Sequence, residues 1–158
     1  MPPPLSIRAA TLDDLDTLVA FNQAMAAETE DKPLDAERLR AGVRAVLTDE
    51  AKGRYLLAQR GGRVVGGLLL TTEWSDWRNG QFWWIQSVYV RPEARRQGVY
   101  AALYAYVVSA ARAAPDVCGL RLYVEKTNDT ARATYGALGM RETSYRFYER
   151  TFAPADDN

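Results

Sequence analysis

Apolar residues recur along this chain with two periods, and the switches between them mark out its elements. Residues 5–9 alternate as a strand does. From Thr11 the spacing becomes helical, with Leu12, Leu15, Leu18, Val19 and Met25 in one stripe and Thr11 suited to cap it. The segment KPLD breaks that stripe, and Asp35 opens a second helix carrying Leu39, Val43, Val46 and Leu47. Residues 54–59 and 64–70 read as strands joined at Gly61-Gly62, a two-residue hairpin signal. A polar loop, EWSDWRNG, leads into a strand over residues 82–90. A helix over residues 98–114 sets Val99, Leu103, Tyr106, Val107 and Ala110 on one face. Residues 118–124 form a strand, Asn128 caps a last helix, and Gly139 ends it in a left-handed turn. Residues 141–150 are a final strand region. The pattern predicts one α/β domain in three layers, with about four helices around a mixed, mostly antiparallel sheet of about six to seven strands. Its core covers residues 5–152, and the tail at 153–158 is expected to fray.

Composition narrows the function classes. A chain of 158 residues suffices for one domain with a real core, and 47% hydrophobic with 25% charged residues is the profile of a globular protein. Lysine plus arginine and aspartate plus glutamate are 20 each, so no net charge recruits nucleic acid or an anionic membrane, and neither is expected as a partner. The chain has no histidine, which removes histidine triads and histidine metal sites; no metal is expected. The one cysteine, Cys118, cannot form an internal disulfide, and with no histidine to activate it a buried structural thiol is expected. The start MPPPLSIRAA shows no apolar signal region, and the apolar run at 101–111 is too short for a bilayer, so a cytoplasmic location is expected.

The stretch VYVRPEARRQGVYAALYAYVV, residues 88–108, bears most on chemistry. It runs from a strand end through an Arg/Gln/Gly turn into a long helix. Unpaired N–H groups at that helix start, beside Arg91, Arg95 and Arg96, make an anion site. Neither the dinucleotide pattern G-x-G-x-x-G nor a phosphate loop ending in GK[ST] is present. An ordinary strand–turn–helix with solvated arginines is the bland alternative.

Arg95, Arg96, Gln97, Gly98, Val99 and Tyr100 resemble the [QR]-x-x-G-x-[GA] acyl-CoA pyrophosphate loop of the GNAT superfamily of N-acetyltransferases, departing at Tyr100, where the family has a small residue. A second stretch, NDTARATYGALGM, resembles the family's second motif, with Asn128 seven residues before Tyr135 and eleven before Gly139. The likeness spans residues 6–149, with some similarity to the diamine acetyltransferase-like branch. It implies a transferase with acetyl-CoA as co-substrate, acting on a small amine by direct attack in a ternary complex, in a family that commonly forms homodimers. It implies that the backbone of Val88, Tyr89 and Val90 pairs with the pantetheine amides and that the turn from Arg95 to Val99 takes the pyrophosphate. It gives Tyr135 the role of proton donor to the departing thiolate, against the alternative of a space-filling core tyrosine. Asn128 is either an N-cap alone or also a cofactor contact.

Deprotonating the acceptor is the step least provided for. An alkyl ammonium, with pKa near ~10.4, needs a base at neutral pH. Diamine acetyltransferase-like relatives often carry a glutamate where this chain has Gln86, which cannot accept a proton. Glu73 and Asp76 in the polar loop, and Glu28 and Glu30 at the end of the first helix, are candidates, each set against a solvated-surface reading. All four tryptophans lie at 74, 77, 83 and 84. With these carboxylates they could form a wall for a cationic amine, with Trp77 part of it; alternatively Trp83 or Trp84 faces the core and the others cover a dimer interface. Two further readings stay open: a non-catalytic acyl-CoA-binding sensor, suggested by Tyr100 and Gln86, and an acetyltransferase acting on a protein N-terminus or lysine. A third is an interaction module with a fortuitous motif.

Overall fold

The computed structural model describes residues 3–30 and 33–152. The expected frayed tail at 153–158, and residues 31–32 in the break after the first helix, lie outside them, as does the side chain of Glu30. The chain divides into two compact units, Met1–Tyr123 and Val124–Asn158.

The first unit is a sheet with helices on both faces. Its strands are β1 (Leu5–Ala9), β2 (Arg54–Arg60), β3 (Arg63–Ser75), β4 (Gly80–Val90) and β5 (Val117–Arg121), in that spatial order. The first four pair antiparallel; β5 joins β4 parallel, after a crossover through a helix. The Gly61-Gly62 hairpin forms as expected, with both glycines at positive φ (56° and 77°), as a tight two-residue turn requires. Thr11 and Asp14 make a capping box on a 3-10 turn, Leu12–Asp14, that leads into α1 (Leu15–Glu30). Asp35 caps α2 (Ala36–Thr48) by accepting from the Arg38 N–H at 2.8 Å.

The pleat explains the layers. In β2 both Leu56 and Leu57 are buried, so both faces of the sheet are covered. Tyr55, Leu57 and Tyr89 pack with Leu15, Leu18, Phe21 and Val43 of α1 and α2. Leu56 and Leu68 face the other way, toward α3 (Val99–Ala113), which buries Val99, Leu103, Tyr104, Val107 and Ala111. Gly66 shows how close α3 sits: a Cβ there would come within 2.9 Å of the Tyr89 carbonyl and 3.1 Å of Val99.

Several expectations change. The sheet has five strands, not six to seven, because residues 141–150 form no strand among the described residues. Tyr145, Phe147 and Tyr148 there are 76%, 68% and 92% exposed; an alternating segment becomes a strand only where a ladder receives it. Conversely β3 continues through Glu73 and Trp74 to Ser75, paired as far as Ser75↔Gly80, so most of the expected loop is hairpin. Leu12, in the 3-10 turn before α1, and Tyr106 are exposed; burial on α3 follows 99, 103, 104, 107 and 111 and leaves Tyr106 outside that arc. Cys118 is exposed rather than buried: it lies on edge strand β5, its Sγ donating to the Gln81 carbonyl at 3.3 Å.

The second unit holds α4 (Asp129–Ala137). Asn128 caps it, Oδ1 accepting from the Ala131 N–H at 3.1 Å. It ends as expected at Gly139 (φ 94°): Met140 N–H donates to Tyr135 and Gly139 N–H to Gly136, the paired bonds of a Schellman turn. Arg132 ties the unit together through Glu142, 3.2 Å away.

Candidate active site

The turn between β4 and α3 has an unusual backbone for its sequence. Arg96 lies at φ 62° and Gly98 at 79°, two left-handed residues within three. A path with left-handed residues of this kind suits a concavity of successive N–H groups, a geometry that favours an anion at the start of α3. An arginine in this region is sterically costly and points to a constraint from function. A Cβ built on Gly98 meets no atom within 4 Å, so the space over the glycine is open.

Side chains fix the turn from three sides. Gln97 Nε2 donates to the Glu93 carbonyl at 3.0 Å, and its Oε1 accepts from Arg60 Nη1 at 2.7 Å. Arg63 pairs with Glu93 at 2.7 Å. Arg91 Nε donates to the Val64 carbonyl at 2.7 Å and its guanidinium lies over the Phe21 ring. Arg95 Nε donates to the Val90 carbonyl at 3.0 Å, and Nη2 reaches both oxygens of Glu28. Among the described residues no ion pair or hydrogen bond engages Arg96. The Tyr100 ring lies 6.2 Å from that of Tyr104, one turn along α3.

Beside the turn, β4 offers an open edge. Its ladder with β5 ends at Trp84↔Arg121, leaving Ile85 to Val90 without a strand on that side among the described residues. On the β3 side, Gly67 pairs with Tyr89 and Leu69 with Gln86, so β4 carries one residue more than its partner. This bulge centres on Ser87, held at φ 51°. Backbone groups of Val88, Tyr89 and Val90 therefore follow a bulge and border an edge that an extended amide chain could join.

The α1/α2 face of the sheet changes character beyond Leu69. Register and alternation put Thr71, Glu73, Phe82, Trp84, Gln86 and Arg121 there, none of them in the apolar cluster beneath α1 and α2. Gln86 Nε2 donates to Thr71 Oγ1 at 2.6 Å. Glu73 Oε1 accepts from Trp84 Nε1 at 3.1 Å and from Arg121 Nη1 at 2.6 Å. On the opposite face Trp83 is buried, with Arg54 over its ring at 4.5 Å. In the second unit, Tyr135 is half-buried on α4, and burial raises its phenol above the usual tyrosine range.

Residues 16–140 match the model of the acetyltransferase (GNAT) family. The chain belongs to the GNAT acetyltransferases. As a member it is an N-acetyltransferase, with acetyl-CoA as co-substrate. A solved structure of a possible acetyltransferase from Clostridium difficile 630 is 47% identical, with 95% of this chain and 99% of that one covered and a TM-score of 0.89. Two more distant structures share the fold. One is a probable acetyltransferase (24% identity, 94% of this chain and 99% of that one, TM-score 0.82). The other is a predicted acetyltransferase from Clostridium acetobutylicum with acetyl-CoA (16% identity, 93% and 96%, TM-score 0.77). No curated protein sequence matches the chain.

The acetyltransferase's expected acceptor residues are not gathered in one place. Glu28 is joined to Arg95 at the turn before α3. Glu73 sits opposite Phe82, about 27 Å along β4 from Val90 at the ordinary strand rise. Asp76 and Trp77 are at the hairpin tip, with Trp77 87% exposed. Sequence reasoning missed Thr71, Arg121 and Arg60. The first two were legible only through register, because each matters by its neighbour across the sheet. Arg60 lies 37 residues before its partner Gln97. Among the described residues no cluster of metal-ligating side chains occurs, and no helix is long and apolar enough to cross a membrane.

Proposed function

We propose that this acetyltransferase passes the acetyl group of acetyl-CoA directly to a small amine while both are bound. The observation that carries the reading is the left-handed turn at Arg96 and Gly98, opening onto the unpaired edge of β4. That turn suits a pyrophosphate: inward N–H groups, a helix start, an uncommitted Arg96, and open space over Gly98. The β4 edge beyond Trp84 suits the pantetheine arm, which lays the thioester toward the bulge at Ser87. Arg95 to Tyr100 and Val88 to Val90 form the cofactor side. Asn128 caps α4 through its Oδ1, a structural role.

In the reaction, the nitrogen lone pair forms the new C–N bond at the thioester carbonyl carbon. The C–S bond breaks and its electron pair goes to sulfur. Tyr135 supplies the proton that sulfur takes up, a role suited to a phenol whose burial keeps it protonated. The nitrogen gives up its proton to water or a carboxylate, and Tyr135 is reprotonated from solvent. Gln86, an amide bonded to Thr71, orients the amine by accepting from it and removes no proton. The test is acetyl-CoA binding by calorimetry together with thiol release on an amine panel. Cofactor binding without turnover of any amine would leave a binding protein, and absence of cofactor binding would overturn the assignment of the turn.

A further inference from the structure

The open part of the sheet face holds a cation and an anion side by side on an aromatic floor. Trp84 pairs across the ladder with Thr71 on one side and Arg121 on the other. Arg121 lies 3.6 Å from the centre of the Phe82 ring, and the Tyr123 ring is 6.2 Å from that of Trp84. The Arg121 and Glu73 side chains are 30% and 45% exposed, so solvent reaches both. Their contact uses one Arg121 donor and one Glu73 oxygen; among the described residues no other hydrogen bond reaches Glu73 Oε2 or the remaining Arg121 N–H groups. Gln86, next to the bulge, gives its amide nitrogen to Thr71 and keeps Oε1 as an acceptor.

We infer that this face seats the acceptor, and that the acceptor is an amine that also carries a carboxylate, an amino-acid-like molecule. The inference rests on the acetyltransferase reading and names the substrate class for that site. The carboxylate takes the unused donors of Arg121, whose planar fork fits it in two parallel bonds. The nitrogen lies between Gln86 Oε1, on the bulge side, and Glu73 Oε2, whose side chain reaches Trp84 from its place opposite Phe82, and the body of the molecule rests on Trp84. Trp84 and Gln86 are two residues apart, about 7 Å along the strand, and Arg121 is one strand across, about 5 Å, so an amine and a carboxylate a few bonds apart span the distance.

Charge balance decides the class. A dipolar acceptor exchanges one set of charge contacts for another: Arg121 keeps an anion and Glu73 a cation, and no charge is left desolvated and unpaired. A purely cationic amine would sit beside Arg121, and a purely anionic molecule beside Glu73. The pair thus disfavours both and accepts a molecule bearing both charges.

The experiment measures thiol release from acetyl-CoA with the protein amino acids and with the amine matching each one less its carboxylate, for example phenylalanine against phenethylamine. At least one amino acid is expected to exceed its matched amine by about tenfold or more in kcat/KM. Arg121→Gln is expected to raise KM for that amino acid about ten- to a hundredfold, while the matched amine, relieved of the cation beside it, keeps or lowers its KM and acetyl-CoA affinity is unchanged. Arg121→Lys should recover part of the loss, and it stands in if the glutamine variant fails to fold. A wild-type preference for carboxylate-free amines, an equal loss on both members of a pair, or no turnover of either class by a protein that binds acetyl-CoA would overturn the inference. Failure to bind acetyl-CoA would instead overturn the acetyltransferase reading, and this inference with it.

Discussion

Glu28 and Arg95 meet through a two-oxygen contact, with Arg95 Nη2 at 3.0 and 2.8 Å from the two carboxylate oxygens. The end of α1 is thereby tied to the turn before α3, and a residue expected at the acceptor is instead beside the proposed site of the phosphates. Arg95 also covers the Val90 carbonyl, the last of the β4 edge. The bridge leaves a negative charge next to the proposed anion site, and occupies a guanidinium that could contact the anion.

Glu28→Gln is therefore expected to tighten CoA binding by about two- to fivefold, the scale of one half-exposed charge contact. The gain should shrink as salt rises. Calorimetry at low and high salt checks this, and weaker binding in the variant would mean that Glu28 helps by holding Arg95 in place.

Gly98→Val should weaken CoA binding while the protein still folds. The left-handed φ costs a β-branched residue on the order of 1–2 kcal/mol of stability. The new side chain would enter space where no protein atom lies within 4 Å, so lost affinity reports on the cofactor's approach. Gly98→Ala, with the smaller group and similar strain, should fall between. Unchanged affinity in folded Gly98→Val would place the pyrophosphate elsewhere.

Local signals made the helices legible, and distant pairings did not. Thr11, Asp35, Asn128 and Gly139 act within three or four residues of themselves, and each ends its helix as its chemistry predicts. The turn at residues 95–98 was legible for the same reason. The polar residues of EWSDWRNG suggested a loop, but cross-strand pairing carries β3 to Ser75. Cys118 was expected inside because its segment is apolar, and it is outside because β5 is an edge. The Glu73–Arg121 contact spans 48 residues and exists only through the register of three strands, which no local pattern encodes.

Tyr135→Phe is expected to lower kcat by about ten- to a thousandfold and to leave acetyl-CoA affinity within a factor of about two. A donor to sulfur acts on charge that develops as the C–S bond breaks, so it lowers the barrier more than it strengthens ground-state binding. Because burial raises the phenol's pKa, the wild-type alkaline limb due to this group should lie above the ordinary tyrosine value of ~10. Turnover unchanged in the variant would make Tyr135 a packing residue.

Asp14 supplies the clearest acid-stability prediction. Its carboxylate accepts from both Arg8 Nη groups, at 2.9 and 2.8 Å, and from the Thr11 N–H at 2.8 Å, joining β1 to the start of α1. The Arg8 hydrogen bonds, foremost, hold its pKa below the usual aspartate range, against the opposing effect of burial. A depressed folded-state pKa means that the unfolded chain binds the proton more readily. The stabilisation is thus fully present above the unfolded value, near ~3.9, and is lost as pH falls through the lower folded value. Asp14→Asn should cost about 1–2 kcal/mol at pH 7, toward the lower end for a charged hydrogen bond because Arg8 is partly solvated. The difference between variant and wild type, read from urea unfolding, should narrow as pH drops below 4. A gap that stays constant from pH 7 to pH 3 would show that the variant loses packing or capping geometry and not the charge.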